Sequence, residues 1–294
     1  MKSISVVIPN YKINPLKKHL PSIIKACPNT QIIVVDDASP DNAASYFKKN
    51  FPKVKVIKNK KNQRFAENCN IGFRAATGEI VVLLNSDVAP FKNFLNPLAS
   101  HFDDDKVFSV GCLEVEIHNG KKVFTGKNSC RFKRGFLIHS GGKITNTKKV
   151  SNNCWTSGGS MAVDRKKYLE LGGMDTLYKP AYWEDIDLSY QARKRGYKVL
   201  FDPRSKVNHN HETTNLTVFG KRNMEITSMR NQILFVYKNI RGKQLLEHFL
   251  WLPYHLIFTT YRTKGVFLIA LWRALIAYIN TLLVIKRRKN EKNN

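Results

Sequence analysis

Acidic residues are scarce in this chain. Its 294 residues hold 22 Asp and Glu against 49 Lys and Arg, a formal net charge of +27. Such a surface favours anionic partners: nucleic acid, an anionic bilayer face or phosphorylated substrates. Cysteines are few, Cys27, Cys69, Cys112, Cys130 and Cys154, odd in number and without a CxxC pair. That argues against a disulfide framework and a zinc site and suits a reducing cytosol. The opening "MKSISVVIPNY" reaches a strand-like run within three residues and has no room for a signal peptide. "IPNYKINPLKK" contains no glycine, so the Gly-rich triphosphate loop that a sugar nucleotidyltransferase needs near its first strand is missing. No recognition helix, RNA-binding aromatic motif or zinc module accompanies the basic excess, which speaks against a nucleic-acid-binding protein. No internal repeat is visible.

What is present is a regular alternation. "ISVVIPNY", "QIIVVDDAS", "KVKVIKN" and "EIVVLL" read as strands, and Pro15 to Cys27, Asn42 to Asn50 and Glu67 to Ala76 read as helices between them. Strands alternating with helices of this length predict βαβ units and a mainly parallel sheet flanked by helices, an α/β fold. In such sheets ligands bind outside the carboxyl ends of the strands. There the sequence places Pro9, Asn10 and Tyr11 after strand one, Asp36, Asp37 and Ser39 after strand two, and Asn85, Ser86 and Asp87 after strand four. Residues 103–150 show no clear period and read as short strands and loops.

Asp87 follows the apolar run Ile80 to Leu84 and suits a hard cation such as Mg²⁺ or Mn²⁺, which completes its shell with phosphates and water. "WEDIDLSYQARKRG" predicts a helix from Asp185 to Arg195, stopped at Gly196. Carboxylates in its first turn complement the helix dipole, and one held at a cleft edge can take a proton from an attacking hydroxyl. In "VNHNHETT", His209 and His211 stand two apart on an extended segment and point to opposite faces, so at most one faces the cleft.

Together these stretches resemble the family 2 glycosyltransferases, particularly the rhamnosyltransferase-like branch of bacterial cell-surface polysaccharide synthesis. "SVVIPNY", "IIVVDDASPD", "NQRFAENCNIGFRAATGEIVVLLNSD", "GGSMAVDRKKYLELGGMD", "YWEDIDLSYQARKRGYKVLFDP" and "VNH" carry the resemblance, over residues 3–215. It implies a GT-A fold, a nucleotide-sugar-binding half at 1–100 and an acceptor-binding half at 101–220. It also implies inverting transfer from a nucleotide-sugar donor to a hydroxyl of a glycan or polyprenyl-diphosphate-linked acceptor, with a divalent metal on the donor diphosphate. Carried over, Pro9, Asn10, Tyr11, Asp37, Arg64, Asn68, Asn85 and Ser86 contribute to the donor pocket, with Asp37 bonding the base. Asp87 and His209 attend the metal, Asp185 is the general base, and Trp183 and Glu184 serve the acceptor. One departure is Arg64, where the family usually carries Gly.

The last stretch, 221–294, is helical, basic and apolar by turns. "LLEHFLWLPYHLIFTTY" and "VFLIALWRALIAYINTLLVI" precede "KRRKNEK", and the second is 20 residues long, enough for a bilayer span. Arg273 near its middle, and Pro253, His248 and His255 in the first stretch, favour helices lying in the interface. The expectation is attachment to an anionic membrane surface, the cytoplasmic face of the inner membrane.

Overall fold

The computed structural model describes residues 2–118, 120–209 and 219–293. Four strands, β1 (Ile4–Asn10), β2 (Gln31–Asp36), β3 (Lys55–Lys58) and β4 (Ile80–Leu84), alternate with helices α1 (Ile13–Ala26), α2 (Ala43–Asn50) and α3 (Arg64–Ala75). They pair in parallel in the order β4-β1-β2-β3. Alternate residues of a strand leave opposite faces, and both faces are covered here. Val6, Ile8, Val34, Val82 and Leu84 pack with Leu16, Leu20 and Ile23 of α1. Val7, Ile33, Val35, Val81 and Leu83 pack with Ala66, Cys69 and Phe73 of α3. Two covered faces are why β4 is apolar at five consecutive positions, all buried.

The sheet continues past β4. Strands β5 (Val88–Pro90), β6 (Val107–His118), β7 (Lys121–Thr125), β10 (Ser151–Asn152), β11 (Ser160–Asp164) and β12 (Lys198–His209) join it, giving ten strands and the path β10-β12-β6-β11-β4-β1-β2-β3. β11 is antiparallel to both neighbours, β4 and β6, whereas β12 runs parallel to β6. Helix α4 (Leu95–Ala99) lies between β5 and β6 in the chain, and helices α5 (Arg165–Glu170) and α6 (Glu184–Lys194) between β11 and β12. The fold is α/β of the GT-A type with a mixed central sheet. Residues 103–150 are more regular than their sequence suggests: β6 is a twelve-residue strand inside the sheet.

The chain divides into two compact units, residues 1–129, 140–176 and 184–212 forming one and residues 130–139, 177–183 and 213–294 the other. In the second unit the turn of the hairpin β8 (Asn128–Lys133) and β9 (Phe136–Gly141), the loop Leu177–Trp183 and the C-terminal helices come together. Those helices are α7 (Lys221–Asn239), α8 (Gly242–Tyr254), extended by a π-helical turn His255–Thr259 and a last turn Thr260–Arg262, and α9 (Val266–Asn293). Asn231 of α7 donates its amide to the carbonyls of Tyr178, Ala181 and Tyr182, and Arg230 donates to those of Leu177 and Lys179. These bonds hold Tyr182 and Trp183 in left-handed conformations that cost non-glycine residues free energy. Among the described residues one helix, over Val266–Val284, is long and apolar enough to cross a membrane; its mean hydropathy is 1.9.

Cys27, Cys69 and Cys112 are free and buried in the first unit.

Candidate functional site

The carboxyl ends of β1, β2 and β4 carry the polar clusters the sequence places there. At the end of β1, Pro9 and Asn10 are buried and Tyr11 is half-buried. The Asn10 amide donates to Ser39 at 3.5 Å, and its carbonyl oxygen is buried without a protein partner. Asp36 accepts a short hydrogen bond from Ser39 through Oδ1, and its Oδ2 is likewise unmatched.

Asp37 is more heavily engaged. Its Oδ1 accepts from Asn59 Nδ2 at 2.9 Å and from the Gln63 backbone N–H at 2.7 Å, and its Oδ2 accepts from the Arg64 N–H at 2.9 Å. It therefore caps α3, satisfying N–H groups that a helix N-terminus leaves open. A carboxylate has about four lone-pair sites, so one acceptor position remains for a ligand. Asn68 is buried and bonded on both sides: its amide donates to the Val35 carbonyl and its oxygen accepts from Asn59. Arg64 has φ +70°, a left-handed conformation that glycine adopts without penalty. That accounts physically for the Gly usual at this position in the resemblance.

Sheet register joins Asp87 to His209. The last residue of β12, His209, pairs with Val88, which follows Asp87. The His209 Nε2 lies 3.5 Å from Asp87 Oδ1, and its Nδ1 lies 3.1 Å from Glu114 Oε2. Glu114, buried on β6, also accepts from Ser160 Oγ at 2.6 Å. Burial opposes a charge on His209, but hydrogen bonds to Asp87 and Glu114 outweigh it and push the imidazole pKa up to about 10, so a divalent ion bound through Nε2 would have to displace that proton. His211 lies outside the described residues.

Asn85 and Ser86 are half-buried beside Asp87, and the Asn85 N–H donates to the Gly159 carbonyl at 2.9 Å. A Cβ on Gly159 would stand 2.9 Å from the His209 ring and 3.1 Å from the Asn85 amide. Only a glycine lets the backbone pass so close to both. The adjacent Gly158 N–H donates to Asp185 Oδ2 at 3.1 Å, and the Ile186 N–H donates to Asp185 Oδ1 at 2.8 Å. Desolvation raises the Asp185 pKa, and these N–H groups oppose the rise. Glu184 and Asp187 beside it are buried, whereas Asp185 retains some exposure. One Gly-Gly turn thus lies against the Asp87–His209 pair on one side and Asp185 on the other. Trp183 belongs to the second unit and is 2% exposed, its ring 5.3 Å from Phe235 and 5.1 Å from His139.

Glu114, Ser160, Gly158 and Gly159 are the residues that sequence reasoning did not single out. The glycines stand in the "GGSMAV" stretch. Glu114 alternates with Glu116 in "CLEVEIH", which reads as a solvated face, yet both are buried, Glu114 bonded to Ser160 and His209 and Glu116 to Thr125.

The donor set at Asp87 and His209 suits a divalent ion. A carboxylate oxygen and an imidazole nitrogen converge, and the far nitrogen is held by a carboxylate, the usual outer partner of a ligating histidine. No group of three or more ligating side chains exists among the described residues. Such a shell must be completed by phosphate oxygens and water, as Mg²⁺-type sites are.

The sequence pattern described as glycosyl transferase family 2 matches residues 5–172. The chain belongs to this family. It is 27% identical over 240 residues to N-acetylgalactosaminyltransferase 7 of Drosophila melanogaster, covering 74% of this chain and 41% of that protein. It is 26% identical over 227 residues to the inactive polypeptide N-acetylgalactosaminyltransferase-like protein 5 of Mus musculus, covering 71% and 52%. The chain thus spans about half or less of these curated relatives. Both carry N-acetylgalactosaminyltransferase names, not the rhamnosyltransferase name that the motifs suggest. Among solved structures it resembles GalNAc-T7 with UDP, GalNAc and Mn²⁺, with TM-score 0.66, 20% identity and coverage of 81% of this chain and 48% of that one. It also resembles the mannosyltransferase PcManGT from Pyrobaculum calidifontis in complex with GDP-Man and Mn²⁺, with TM-score 0.57, 18% identity and coverage of 98% and 80%. Both solved structures hold a divalent ion, one with UDP and GalNAc and the other with GDP-Man.

Proposed function

We propose that the protein is an inverting, metal-dependent glycosyltransferase of cell-surface polysaccharide synthesis. It moves a hexosyl unit from a nucleotide sugar to a hydroxyl of a glycan or polyprenyl-diphosphate-linked acceptor, at the cytoplasmic face of the membrane. The observation that carries the reading is the Gly158–Gly159 turn, which stands against Asp185 on one side and the Asp87–His209 pair on the other.

On this reading the buried polar atoms of Asn10 and Asp36 and the remaining lone pair of Asp37 receive the nucleoside. Asp87 and His209 hold the divalent ion, which supplies charge neutralisation for the departing diphosphate. Asp185 accepts the proton of the acceptor hydroxyl. That oxygen bonds to the anomeric carbon as the bond to the diphosphate oxygen breaks, and the nucleoside diphosphate leaves with the electron pair. The N–H groups of Gly158 and Ile186 hold the carboxylate in one orientation, and its raised pKa makes it a better base than an ordinary surface carboxylate. The presence of Asp87, His209 and Asp185 together favours an active enzyme over a binding-only relative.

Two measurements test this. Thermal protection by a panel of nucleotide sugars with Mn²⁺, including those of rhamnose, N-acetylgalactosamine and mannose, identifies the donor. The anomeric configuration of the new glycosidic linkage, read by NMR against that of the donor, tests inversion. Retention of configuration removes Asp185 as base in a single displacement.

A further inference from the structure

The C-terminal helices present apolar side chains to solvent. Leu246, Leu250 and Ile257 are 60%, 72% and 64% exposed, and Leu268, Trp272 and Ile279 of α9 are 46%, 66% and 53% exposed. The opposite side of α9 is packed, with Phe267, Ala270 and Ala274 buried. A helix apolar on both its packed and its exposed sides has a second apolar neighbour to meet.

Helix α9 does not stand alone. Arg222, at the start of α7, donates to the Lys264 carbonyl just before α9, at 3.2 Å. Midway, the positive charges of Arg230 and Arg273 repel one another. Further on, the rings of Tyr237 and Tyr278 are 5.6 Å apart. Successive contacts advance in the same direction on both helices, so α7 and α9 lie side by side and parallel. At 1.5 Å per residue the shared length is about 21 Å. The first half of α7 is polar, with Lys221, Arg222 and Glu225 exposed and Arg230 bonded to an irregular loop.

From this pairing we infer that α9 lies in the plane of a lipid bilayer rather than across it, with the exposed faces of α8 and α9 as the contact surface. The inference rests on the membrane attachment proposed above and adds its geometry. Were α9 to cross the hydrocarbon core, α7 would accompany it and carry Glu225, Arg230 and the loop carbonyls into lipid. Charges and lipid-exposed irregular backbone are not accommodated there. Lying flat, α9 buries one apolar face to a shallow depth while α7 stays on the watery side. Arg273, exposed beside Trp272, then needs only to extend its stem to reach a headgroup.

Charge selects the bilayer over a second copy of the chain. Residues 221–294 carry 14 basic and 3 acidic side chains. A like copy would bring positive charge against positive charge, whereas anionic headgroups attract it.

The test uses the full chain expressed in cells, with single cysteines introduced by Arg262→Cys and Lys286→Cys, one before α9 and one near its end. The native free cysteines are buried, which keeps the background low. Right-side-out and inverted membrane vesicles are treated with an impermeant maleimide. Both cysteines should be labelled from the same side, and nitroxides at Leu268, Trp272 and Ile279 should report equal shallow depths. Labelling from opposite sides, with depth passing through a maximum near Trp272, overturns the in-plane geometry and leaves membrane attachment standing. A chain found wholly in the soluble fraction, as monomer or dimer, overturns attachment itself.

Discussion

Asp37 accepts the backbone N–H of Arg64 at 2.9 Å while Arg64 is left-handed, with φ +70°. The cap fixes the backbone at a position whose side chain makes that conformation costly. Arg64→Gly should therefore raise stability by about 1 kcal/mol, the left-handed penalty less part of glycine's entropy. The urea midpoint should rise with the m-value unchanged. A lowered midpoint would contradict this, and a parallel loss of nucleotide-sugar affinity would assign the guanidinium to the donor.

The Asp87–His209 pair predicts a metal-linked donor site. Asp87→Ala and His209→Ala should each remove the part of nucleotide-sugar thermal protection that depends on Mn²⁺, and chelation by EDTA should abolish transfer in the unaltered chain. Wild-type turnover by Asp87→Ala in metal-free buffer would refute the role.

Asp185→Asn keeps size and loses the proton acceptor, so kcat should fall by roughly 10² to 10⁴ with donor affinity little changed. Desolvation raises the Asp185 pKa, and the base works only when deprotonated. The acidic limb of the kcat profile should therefore lie above the usual carboxylate range and vanish in the variant. An equal loss of donor binding would move Asp185 to the donor pocket.

Asp202 predicts a pH effect on stability. Burial opposes its charge, but hydrogen bonds from His101 and Arg204 prevail and hold its carboxyl at about 2. A depressed folded pKa gives stability that is complete above the unfolded value near 4 and is lost as pH falls through 2. The difference between the native chain and Asp202→Asn should shrink by about 2 kcal/mol over that window. A difference independent of pH would show that the ion pair adds nothing.

The first hundred residues were legible because β1, β2 and β4 carry the unbroken apolar runs 6–9, 32–35 and 80–84 and helices of ordinary length separate the strands. The start of α3 was not: Arg64 opens the helix three residues before Glu67 because the cap comes from Asp37, 27 positions earlier, and no local signal marks it. β6 was missed for another reason. Ser109, Gly111, Glu114 and Glu116 break its apolar pattern, and all four are buried; hydroxyls of Thr156, Ser160 and Thr125 donate to Ser109, Glu114 and Glu116. Asp87 and His209 were paired only through family resemblance; a register between strands far apart in sequence brings them together, and no spacing along the chain encodes it.

The antiparallel strand β11 bonds to β4 on one side and to β6 on the other. During synthesis, β4 is complete some eighty residues before its outer neighbour exists, so the growing chain carries an open strand edge, a template for wrong pairing. A fragment ending near residue 100 would keep that edge for good and should self-associate. Adding a peptide of the β11 sequence, Ser160 to Asp164 with its flanks, should cap the edge and return the fragment to solution. The first four strands are thus bound to later sequence by one strand's arrival.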